Sequence, residues 1–278
     1  MNDKAMNYKG QRALVTGASS GIGAAFAREL ASRGSDLVLV ARSRDKLSAL
    51  AAELSASYGV AAQAVVADLA KPSAADHLAA ELRDKDIQID ILVNNAGFGL
   101  HALLHQADAA RLTEMVQLNV ATLVDLTRLL LPGMLARDCG AVINVSSTAG
   151  FQPVPYMAVY GASKAFVLSF TEALWAETRS TGVRVTAVCP GATESEFFAV
   201  AGENAQVGRR IPPERVVGAA LRALDRRAST VATGNRLLIN APRLAPRQFV
   251  ARMAERTMRP AKSQPTRRED AGMAAAKG

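Results

Sequence analysis

Short apolar runs alternate with longer amphipathic or alanine-rich stretches along most of the chain, and this alternation limits the possible fold more than any other feature. Most of the runs are nearly continuous in aliphatic residues, as expected of strands that are covered on both faces. Such alternation predicts a parallel sheet with helices on both faces and a ligand at the carboxyl ends of the strands. The predicted strands are Arg12–Thr16, Asp36–Ala41, Gln63–Ala67, Ile91–Asn94, Ala141–Val145, Arg184–Cys189 and Leu237–Asn240.

The stretches between these strands have the length and apolar spacing of helices. With 278 residues, the chain can bury a substantial core in one large α/β domain. We therefore predict a single doubly wound domain at 11–242, with a parallel seven-stranded sheet flanked by helices, after an N-terminal extension at 1–10. The predicted helices are Ile22–Ser32, Arg44–Tyr58, Ala74–Lys85, Ala109–Leu131 and Val159–Thr178.

Three C-terminal segments depart from the alternation. Residues 190–213 are irregular and lie beside the predicted ligand edge, so we predict that they cover the substrate. Residues 243–259 combine an apolar stripe with many arginines and predict a basic helix, whereas the polar residues 260–278 predict a disordered tail. The basic helix could dock on its own subunit, on a partner or on an anionic membrane, but Pro246 and its short apolar face argue against membrane contact.

The charge of the chain is uneven. Residues 1–200 hold 17 Lys and Arg against 19 Asp and Glu, whereas residues 201–278 hold 16 against 6, so the C-terminal quarter carries the net charge of +8. This bias could favour acidic substrates, anionic lipid or nucleic acid, although a solvated basic surface is the simpler interpretation. Because the chain has no zinc-finger spacing, aromatic–basic interleaving or helix-turn-helix pattern, we expect no nucleic-acid partner.

The two cysteines, Cys139 and Cys189, are too few for a disulfide framework or a zinc site. Cys189 lies in an apolar strand and is expected to be a small buried side chain. His101 and His105 follow the fourth strand, but without a third ligand they predict ordinary loop or helix-surface positions and no metal. The first residues are polar and do not resemble an export signal, so the expected location is the cytoplasm.

A glycine-rich segment, Thr16–Gly23 (TGASSGIG), joins the first strand to the first helix. Glycines here permit a tight turn and allow backbone N–H groups to approach a pyrophosphate at the positive end of the helix. The spacing differs from the usual dinucleotide fingerprint, and the Gly-Lys-Ser/Thr ending of a P-loop is missing, which argues against a kinase or ATPase. A turn with a purely structural role is the alternative.

The end of the second strand indicates which dinucleotide would bind. An acidic residue at this point would bind the ribose 2′-hydroxyl of NAD, whereas an arginine accommodates the 2′-phosphate of NADP. Ala41 and Arg42 occupy this point, with Arg44 and Lys46 nearby. A guanidinium pairs well with a phosphate, so NADP is the predicted cofactor unless Arg42 only begins a solvated helix.

Tyr160 and Lys164 are four residues apart at the start of a predicted helix and therefore share a face. The unperturbed pKa of tyrosine is about 10, and a nearby ammonium group would lower it and make the phenol a usable acid or base. Ser147 ends a strand thirteen residues earlier, where its hydroxyl could meet a substrate oxygen. Such a pair is common on helix surfaces. It indicates catalysis here because it follows an N-terminal half of the chain that is predicted to bind a dinucleotide.

Taken together, these motifs resemble those of the short-chain dehydrogenase/reductase family over roughly Arg12 to Ser195. Besides TGASSGIG, the resemblance rests on Ala-Asp-Leu at Asp68, NNAG at Asn94–Gly97, Leu-Asn-Val at Asn119, and Pro190-Gly191. It implies a Rossmann-type fold and a catalytic tetrad of Asn119, Ser147, Tyr160 and Lys164. The cofactor-binding residues that it implies are Gly17, Ser19, Ser20, Gly21, Ile22, Gly23, Arg42, Asp68, Leu69, Asn95, Tyr160, Lys164, Pro190, Gly191, Thr193 and Ser195.

The resemblance implies hydride transfer between NADP(H) and a carbonyl or secondary alcohol carbon of a small molecule. In this family Tyr160 would be the general acid or base, Ser147 would orient the substrate oxygen, Lys164 would bind the nicotinamide ribose, and Asn119 would support a proton path. Ser195 replaces the threonine that the family usually has, which keeps the hydroxyl. Apart from the resemblance, four residues that flank the catalytic strands are expected to form pocket walls, with core packing as the alternative for the phenylalanines: Phe151, Pro153, Phe197 and Phe198.

Two other functions fit the same residues. A 3-oxoacyl thioester reductase would use the same chemistry, and its basic C-terminal quarter could meet an acidic carrier protein. A non-catalytic NADP sensor would not need the proton donor that Tyr160 provides. Family members usually pair through helices equivalent to Ala109–Leu131 and Val159–Thr178, so a homodimer or homotetramer is expected. The substrate and the physiological direction do not follow from the sequence.

Overall fold

The computed structural model describes residues 5–197, 201–202, 209–234 and 244–258. Seven strands form one fully parallel sheet with the order β3-β2-β1-β4-β5-β6-β7, which confirms the predicted doubly wound fold. The strands are β1 (Arg12–Thr16), β2 (Asp36–Ala41), β3 (Ala62–Val66), β4 (Ile91–Asn94), β5 (Gly140–Val145), β6 (Val183–Pro190) and β7 (Thr230–Thr233).

Helices flank the sheet and follow the predicted pattern closely. The predicted helix at Ala109–Leu131 is in fact two α-helices joined by a π-helical turn at Gln117–Ala121. Short 3₁₀ turns occupy Leu104–Gln106 and Thr148–Phe151. The α-helices are α1 (Gly21–Ser32), α2 (Arg44–Tyr58), α3 (Ala74–Asp84), α4 (Ala109–Val116), α5 (Thr122–Ala136), α6 (Ala158–Thr178), α7 (Pro213–Asp225) and α8 (Arg247–Met258).

The strand that completes the described sheet was not predicted. The strand that pairs with β6 is Thr230–Thr233, whereas Leu237–Asn240 lies outside the described residues. The sequence of β7, TVAT, contains two polar residues. All four positions are only half-buried, because the strand lies at the edge of the sheet. An edge strand of this kind has a weak apolar signal, and its pairing with β6 defines it.

The core consists of two layers, one on each face of the sheet. In β1, Ala13 and Val15 belong to the cluster that includes residues of α1, α2 and α7, whereas Leu14 belongs to the cluster that includes residues of α3 and α5. Successive strand residues point to opposite faces, so a continuous apolar run supplies both layers. The sheet is therefore fixed from both sides, and its strand ends are held at a common edge.

Two terminal features join this core. The described part of the predicted N-terminal extension, residues 5–10, packs on the domain, because Tyr8 is buried and its hydroxyl donates a hydrogen bond to Asp225 at the end of α7. The predicted basic helix is α8, while residues 243 and 259 and the predicted disordered tail at 260–278 lie outside the described residues.

One helical stretch, Ala109–Ala136, is long and apolar enough to cross a membrane by length and composition alone. Core helices meet the same criterion, and α5 in this stretch packs against α3 and β5. Leu126 and Met134 of α5 are buried in the core cluster on that face of the sheet. The apolar character of α5 is therefore accounted for in part by the core.

Candidate active site

A cavity of about 1390 Å³ lies along the carboxyl-end edge of the sheet. Pockets for one small ligand usually measure about 300–1,000 Å³, so this cavity has room for a dinucleotide and a second molecule. Of the predicted site residues, Gly23 and Asn119 do not line it. Those that do are Gly17, Ser19, Ser20, Gly21, Ile22, Arg42, Asp68, Leu69, Asn95, Ser147, Tyr160, Lys164, Pro190, Gly191, Thr193 and Ser195.

The glycine-rich turn between β1 and α1 forms one end of the cavity. Gly17 has a φ of +65°, in the left-handed region that favours glycine. A Cβ atom on Gly23 would overlap the carbonyl oxygen of Gly17 and lie 2.6 Å from Asn95 Nδ2. Gly23 therefore acts from behind the turn, where it allows α1 to start close against β1 with its first N–H groups facing the cavity.

Thr16 and Asn95 hold this turn in place. The Thr16 hydroxyl accepts hydrogen bonds from the backbone N–H groups of Asn95 and Ala96, at 2.9 and 3.0 Å. Asn95 Nδ2 donates in return to the carbonyl oxygens of Thr16 and Gly17, at 2.9 and 3.3 Å. The ends of β1 and β4 are thereby locked together at the point where the strand order reverses, which is where such folds bind ligands.

The residues after β2 and β3 line the adjacent part of the cavity. Arg42 is exposed there, and the side chain of Lys46, one helical turn further on, lines the same part. Asp68 accepts a hydrogen bond from the N–H of Ala70, and the buried Leu69 is fixed by a hydrogen bond from Thr122 to its carbonyl oxygen. The cationic side chains of Arg42 and Lys46 at this rim of the cavity suit an anionic group.

The segment after β6 closes over the glycine-rich turn. A Cβ atom on Gly21 would lie 2.8 Å from the Cβ atom of Ser195, so the two segments meet directly. Glu196 accepts a hydrogen bond from Ser20 and pairs with Lys46 at 2.7 Å, and these contacts lower the pKa of its carboxyl group. The predicted covering segment thus does line the cavity in its described part, and the Glu196–Lys46 contact was not predicted.

Tyr160 and Ser147 meet in the middle of the cavity. Tyr160 is 9% exposed and a side-chain hydrogen bond joins it to Ser147. Burial raises the pKa of Tyr160 to about 12, and the Ser147 hydrogen bond lowers it only in part. The net lowering of this pKa that the sequence led us to expect does not occur, because burial outweighs the interactions that favour the phenolate, and the Lys164 ammonium lies 5.8 Å from the ring centroid.

Lys164 is buried below Tyr160, one turn further along α6. Its Nζ donates a hydrogen bond of 2.9 Å to the carbonyl oxygen of Val145 at the end of β5. Burial lowers the pKa of Lys164 to about 8, so the group is mainly an ammonium ion at neutral pH. The side chain therefore places a charge under the cavity floor in an apolar environment, where such a charge acts strongly.

Asn119 lies in the π-helical turn between α4 and α5 and is 1% exposed. Its Nδ2 donates to the carbonyl oxygen of Phe98 and to the Ser163 hydroxyl, and its Oδ1 accepts from the N–H of Phe98. These bonds fix the segment after β4 that lines the cavity. A π-helical turn is often found at a functional site, where it re-aims one side chain.

The other half of the cavity is mainly apolar. The predicted wall residues Phe151 and Phe197 line it, Pro153 does not, and Phe198 lies outside the described residues. The Phe197 ring lies 5.3 Å from the ring of Tyr160. Sequence reasoning predicted helix α8 but not that six of its residues line the cavity, because nothing local in its sequence identifies the distant surface that it contacts.

The remaining polar candidates have structural positions. His101 stacks on Tyr156 and its Nε2 contacts the carbonyl oxygen of Met258, whereas His105 is exposed. Cys189 is fully buried in β6, as predicted. Within the described ranges, no group of three or more His, Cys, Asp or Glu side chains has the geometry of a metal site.

The order of these features along the chain matches a known family. The family model described as short chain dehydrogenase matches residues 11–206, which span the glycine-rich turn, Tyr160 and Lys164. The chain belongs to the short-chain dehydrogenase family. It is therefore an oxidoreductase by family, and the sequence-based assignment is confirmed.

Individual relatives agree with this family. A very-long-chain 3-oxoacyl-CoA reductase from Anas platyrhynchos is 40% identical over 186 residues, which cover 65% of this chain and 59% of that protein. This chain thus spans about three fifths of that relative. A short-chain dehydrogenase from Sphingobium yanoikuyae in complex with NADPH is 35% identical, with a TM-score of 0.78 over 94% of this chain and 99% of that chain. A 7beta-hydroxysteroid dehydrogenase is 28% identical, with a TM-score of 0.81 over 90% of this chain and 99% of that chain.

The close approach at Gly23 generates a first prediction. A Gly23→Ala variant should lose most of its affinity for a dinucleotide, because its methyl group would overlap Gly17 and displace the turn. The matched control is Gly218→Ala in α7, whose Cβ would meet only the mobile end of the Arg222 side chain. Affinity is measured by the fluorescence change of NADPH on binding. Equal affinity in the two variants would contradict the assigned role of Gly23.

The burial of Lys164 generates a second prediction, on stability. Its folded pKa of about 8 lies below the value of 10.5 of the free side chain, so the unfolded state binds more protons between these values and stability rises with pH. The free energy of unfolding of the wild type, relative to Lys164→Met, should rise by on the order of 3 kcal/mol across this window.

This dependence is measured by urea unfolding of both proteins at several pH values. Lys71→Met is the control, because the side chain of Lys71 is 67% exposed and no pH-dependent difference is expected there. A difference between the wild type and Lys164→Met that stays constant from pH 8 to 10.5 would show that the Lys164 ammonium is not desolvated.

Proposed function

We propose that the protein is an NADP(H)-dependent oxidoreductase that reduces a carbonyl group to a secondary alcohol, or runs the reverse reaction. The observation that carries this proposal is the meeting of Ser147, Tyr160 and Lys164 in one cavity with the glycine-rich turn. A phenol, a hydroxyl and a buried ammonium suit the transfer of one proton to a substrate oxygen. The same cavity extends to a helix N-terminus that suits a pyrophosphate.

The residues present fit NADP. Gly17, with its φ of +65°, allows the tight turn that brings backbone N–H groups to a pyrophosphate, and Arg42 lines the cavity where a guanidinium suits the 2′-phosphate. We assign Asp68 and Leu69 to the adenine, Asn95 and Lys164 to the riboses, and the segment from Pro190 to the nicotinamide. The remaining cofactor residues are Ser19, Ser20, Gly21, Ile22, Gly23, Tyr160, Gly191, Thr193 and Ser195. The NADPH complex of the Sphingobium yanoikuyae relative supports NADP(H) as the cofactor.

Tyr160 is the proton donor in the reduction. NADPH, when bound, supplies the hydride that the carbonyl carbon accepts. Because the pKa of Tyr160 is about 12, the phenol keeps its proton at neutral pH and can deliver it to the carbonyl oxygen as the C–H bond forms. Ser147 donates a hydrogen bond to the same oxygen and stabilises the negative charge that develops on it.

Lys164 stabilises the product of this proton transfer. A phenolate left on buried Tyr160 would be costly, and the nearby ammonium offsets part of that cost. Asn119 is a positioning residue in this proposal, because all of its described hydrogen bonds are to Phe98 and Ser163. Asn119 keeps the wall beside Lys164 in place and thereby supports a proton path that reaches Tyr160 through Lys164.

A 3-oxoacyl thioester reductase is the second candidate, and the name of the Anas platyrhynchos relative favours it. The proton chemistry at Tyr160 would be the same, so the two candidates differ only in the substrate. An NADPH oxidation assay with acyl thioesters beside simple ketones separates them, since a thioester reductase would prefer the thioesters. A sensor without turnover would oxidise NADPH with neither.

Assembly and location are also proposals. We assign a homodimer or homotetramer, since the large apolar side chains of Val116, Leu135 and Phe166 on α4, α5 and α6 are exposed on the single chain. Both cysteines are free thiols, Cys139 at an exposed position and Cys189 buried in β6. This fits the proposed cytoplasmic location.

The proton-donor role generates a third prediction. Tyr160→Phe should lower kcat/KM for carbonyl reduction by about a hundredfold to ten-thousandfold, because the variant lacks the general acid. Its affinity for NADPH should stay near that of the wild type. The measurement is NADPH absorbance loss with ketones, aldehydes and acyl thioesters, and the control is Tyr58→Phe, whose side chain is exposed at the end of α2. Near-normal turnover by Tyr160→Phe would refute the proposed mechanism.

The NADP preference generates a fourth prediction. Arg42→Ala should raise the Kd for NADPH by about tenfold to a hundredfold, since it loses charge-assisted bonds to the 2′-phosphate. The Kd for NADH should change by no more than about twofold. Arg44→Ala is the matched control, because Arg44 is exposed and does not line the cavity. If both cofactors lose affinity equally, Arg42 does not select NADP.

A further inference from the structure

Helix α8 turns one face towards the cavity. Its six lining residues form two adjacent rows along the helix, each with a spacing of four residues, which is the pattern of one helix face. Gln248 and Arg252, by contrast, are exposed and do not line the cavity. The lining residues are Phe249, Val250, Met253, Ala254, Thr257 and Met258.

Part of this face is exposed although it is apolar. The side chains of Phe249 and Met253 are 58% and 45% exposed, and both face the cavity. Scattered exposed apolar side chains need no explanation, but apolar side chains grouped in a concave site indicate a ligand. Because Thr257 is the only polar residue among the six, a sugar or another polyhydroxylated substrate would find few partners along this wall.

Helix α8 is held to the domain by contacts close to the catalytic residues. Met258 is buried in the same cluster as Tyr160 and Met157, and its carbonyl oxygen lies 3.1 Å from His101 Nε2. The Tyr156 hydroxyl donates to Glu255 at 3.4 Å. The end of α8 is thus fixed near Tyr160, while its earlier turns extend the wall away from the reacting position.

We propose that α8 forms the selective wall of the substrate site and that this site takes large apolar ketones or the corresponding alcohols. This inference rests on the proposed function. The reactive carbonyl meets Tyr160 and Ser147, and the apolar body of the substrate lies between Phe249 and Met253 of α8 and the wall that includes Phe151. Flexible methionine side chains in this wall let it fit both fused-ring and linear bodies.

The test compares ketones of different size with variants of the wall. The substrates are butanone, which is too small to reach α8, methyl nonyl ketone with a linear body, and androstanone with a fused-ring body. The double variant Phe249→Ala/Met253→Ala removes the wall contacts, and Gln248→Ala on the outer face of the same helix is the matched control. Met253→Gln keeps the shape of the side chain but places an amide in the cavity.

The double variant should lower kcat/KM for at least one large ketone by about tenfold or more and leave butanone within about twofold. Met253→Gln should act in the same direction, and Gln248→Ala should change none of the three. The relative loss for androstanone and methyl nonyl ketone shows which body the wall fits better. An equal loss for butanone and the large ketones, or no loss for either large ketone, would overturn the inference.

Binding is measured beside turnover so that the two proposals can fail separately. With NADP present, androstanone or methyl nonyl ketone should raise the Tm of the wild type and of Gln248→Ala, but not that of the double variant. If the wild type shows this Tm shift without reducing any ketone, the proposed reaction is refuted and the proposed role of the wall is retained. If neither large ketone shifts the Tm of the wild type, or the shift persists in the double variant, the wall is refuted whatever the turnover.

Discussion

The central constraint on this structure is that a phenol and an ammonium group are buried together. Burial raises the pKa of Tyr160 to about 12 and lowers that of Lys164 to about 8, because both groups are held away from the solvent that would stabilise their charged forms. Such burial costs folding free energy and persists only where surrounding contacts compensate for it. The carbonyl oxygen of Val145 and the hydroxyl of Ser147 are the direct partners, and each depends on where β5 ends.

The parallel sheet provides this placement. Because β1, β4, β5 and β6 are paired in register, their carboxyl ends meet at one edge, and the glycine-rich turn, Asn95, Ser147 and Pro190 come together from distant parts of the chain. The helices then close the edge in different ways. The start of α1 offers N–H groups, α6 supplies the buried pair, and the π-helical turn before α5 aims Asn119 at the segment after β4.

The sequence predicted what depends on local pattern. The apolar runs of β1 and β2 must be buried on both faces, and Gly17 and Gly23 leave no space for a side chain, so strands and turn follow from the residues themselves. The sequence did not predict the position of β7, because TVAT is a weak edge strand that its pairing with β6 defines. It also missed the Lys46–Glu196 contact and the direction of the Tyr160 pKa shift, since both depend on segments far apart in the chain.

The contrast between local patterns and contacts of distant segments also separates the chemistry of the protein from its substrate selectivity. The family match ends at residue 206, so it covers the residues that hold the cofactor and move the proton, whereas α8 at Arg247–Met258 lies beyond it. Helix α8 nevertheless supplies six side chains to the cavity and contacts the cluster around Tyr160. The reaction at the carbonyl carbon is therefore encoded in the shared part of the chain. In our proposal the shape of the molecule that carries this carbonyl is selected in addition by Phe249 and Met253 of α8, which the family match does not include, so the catalytic residues alone do not define the substrate.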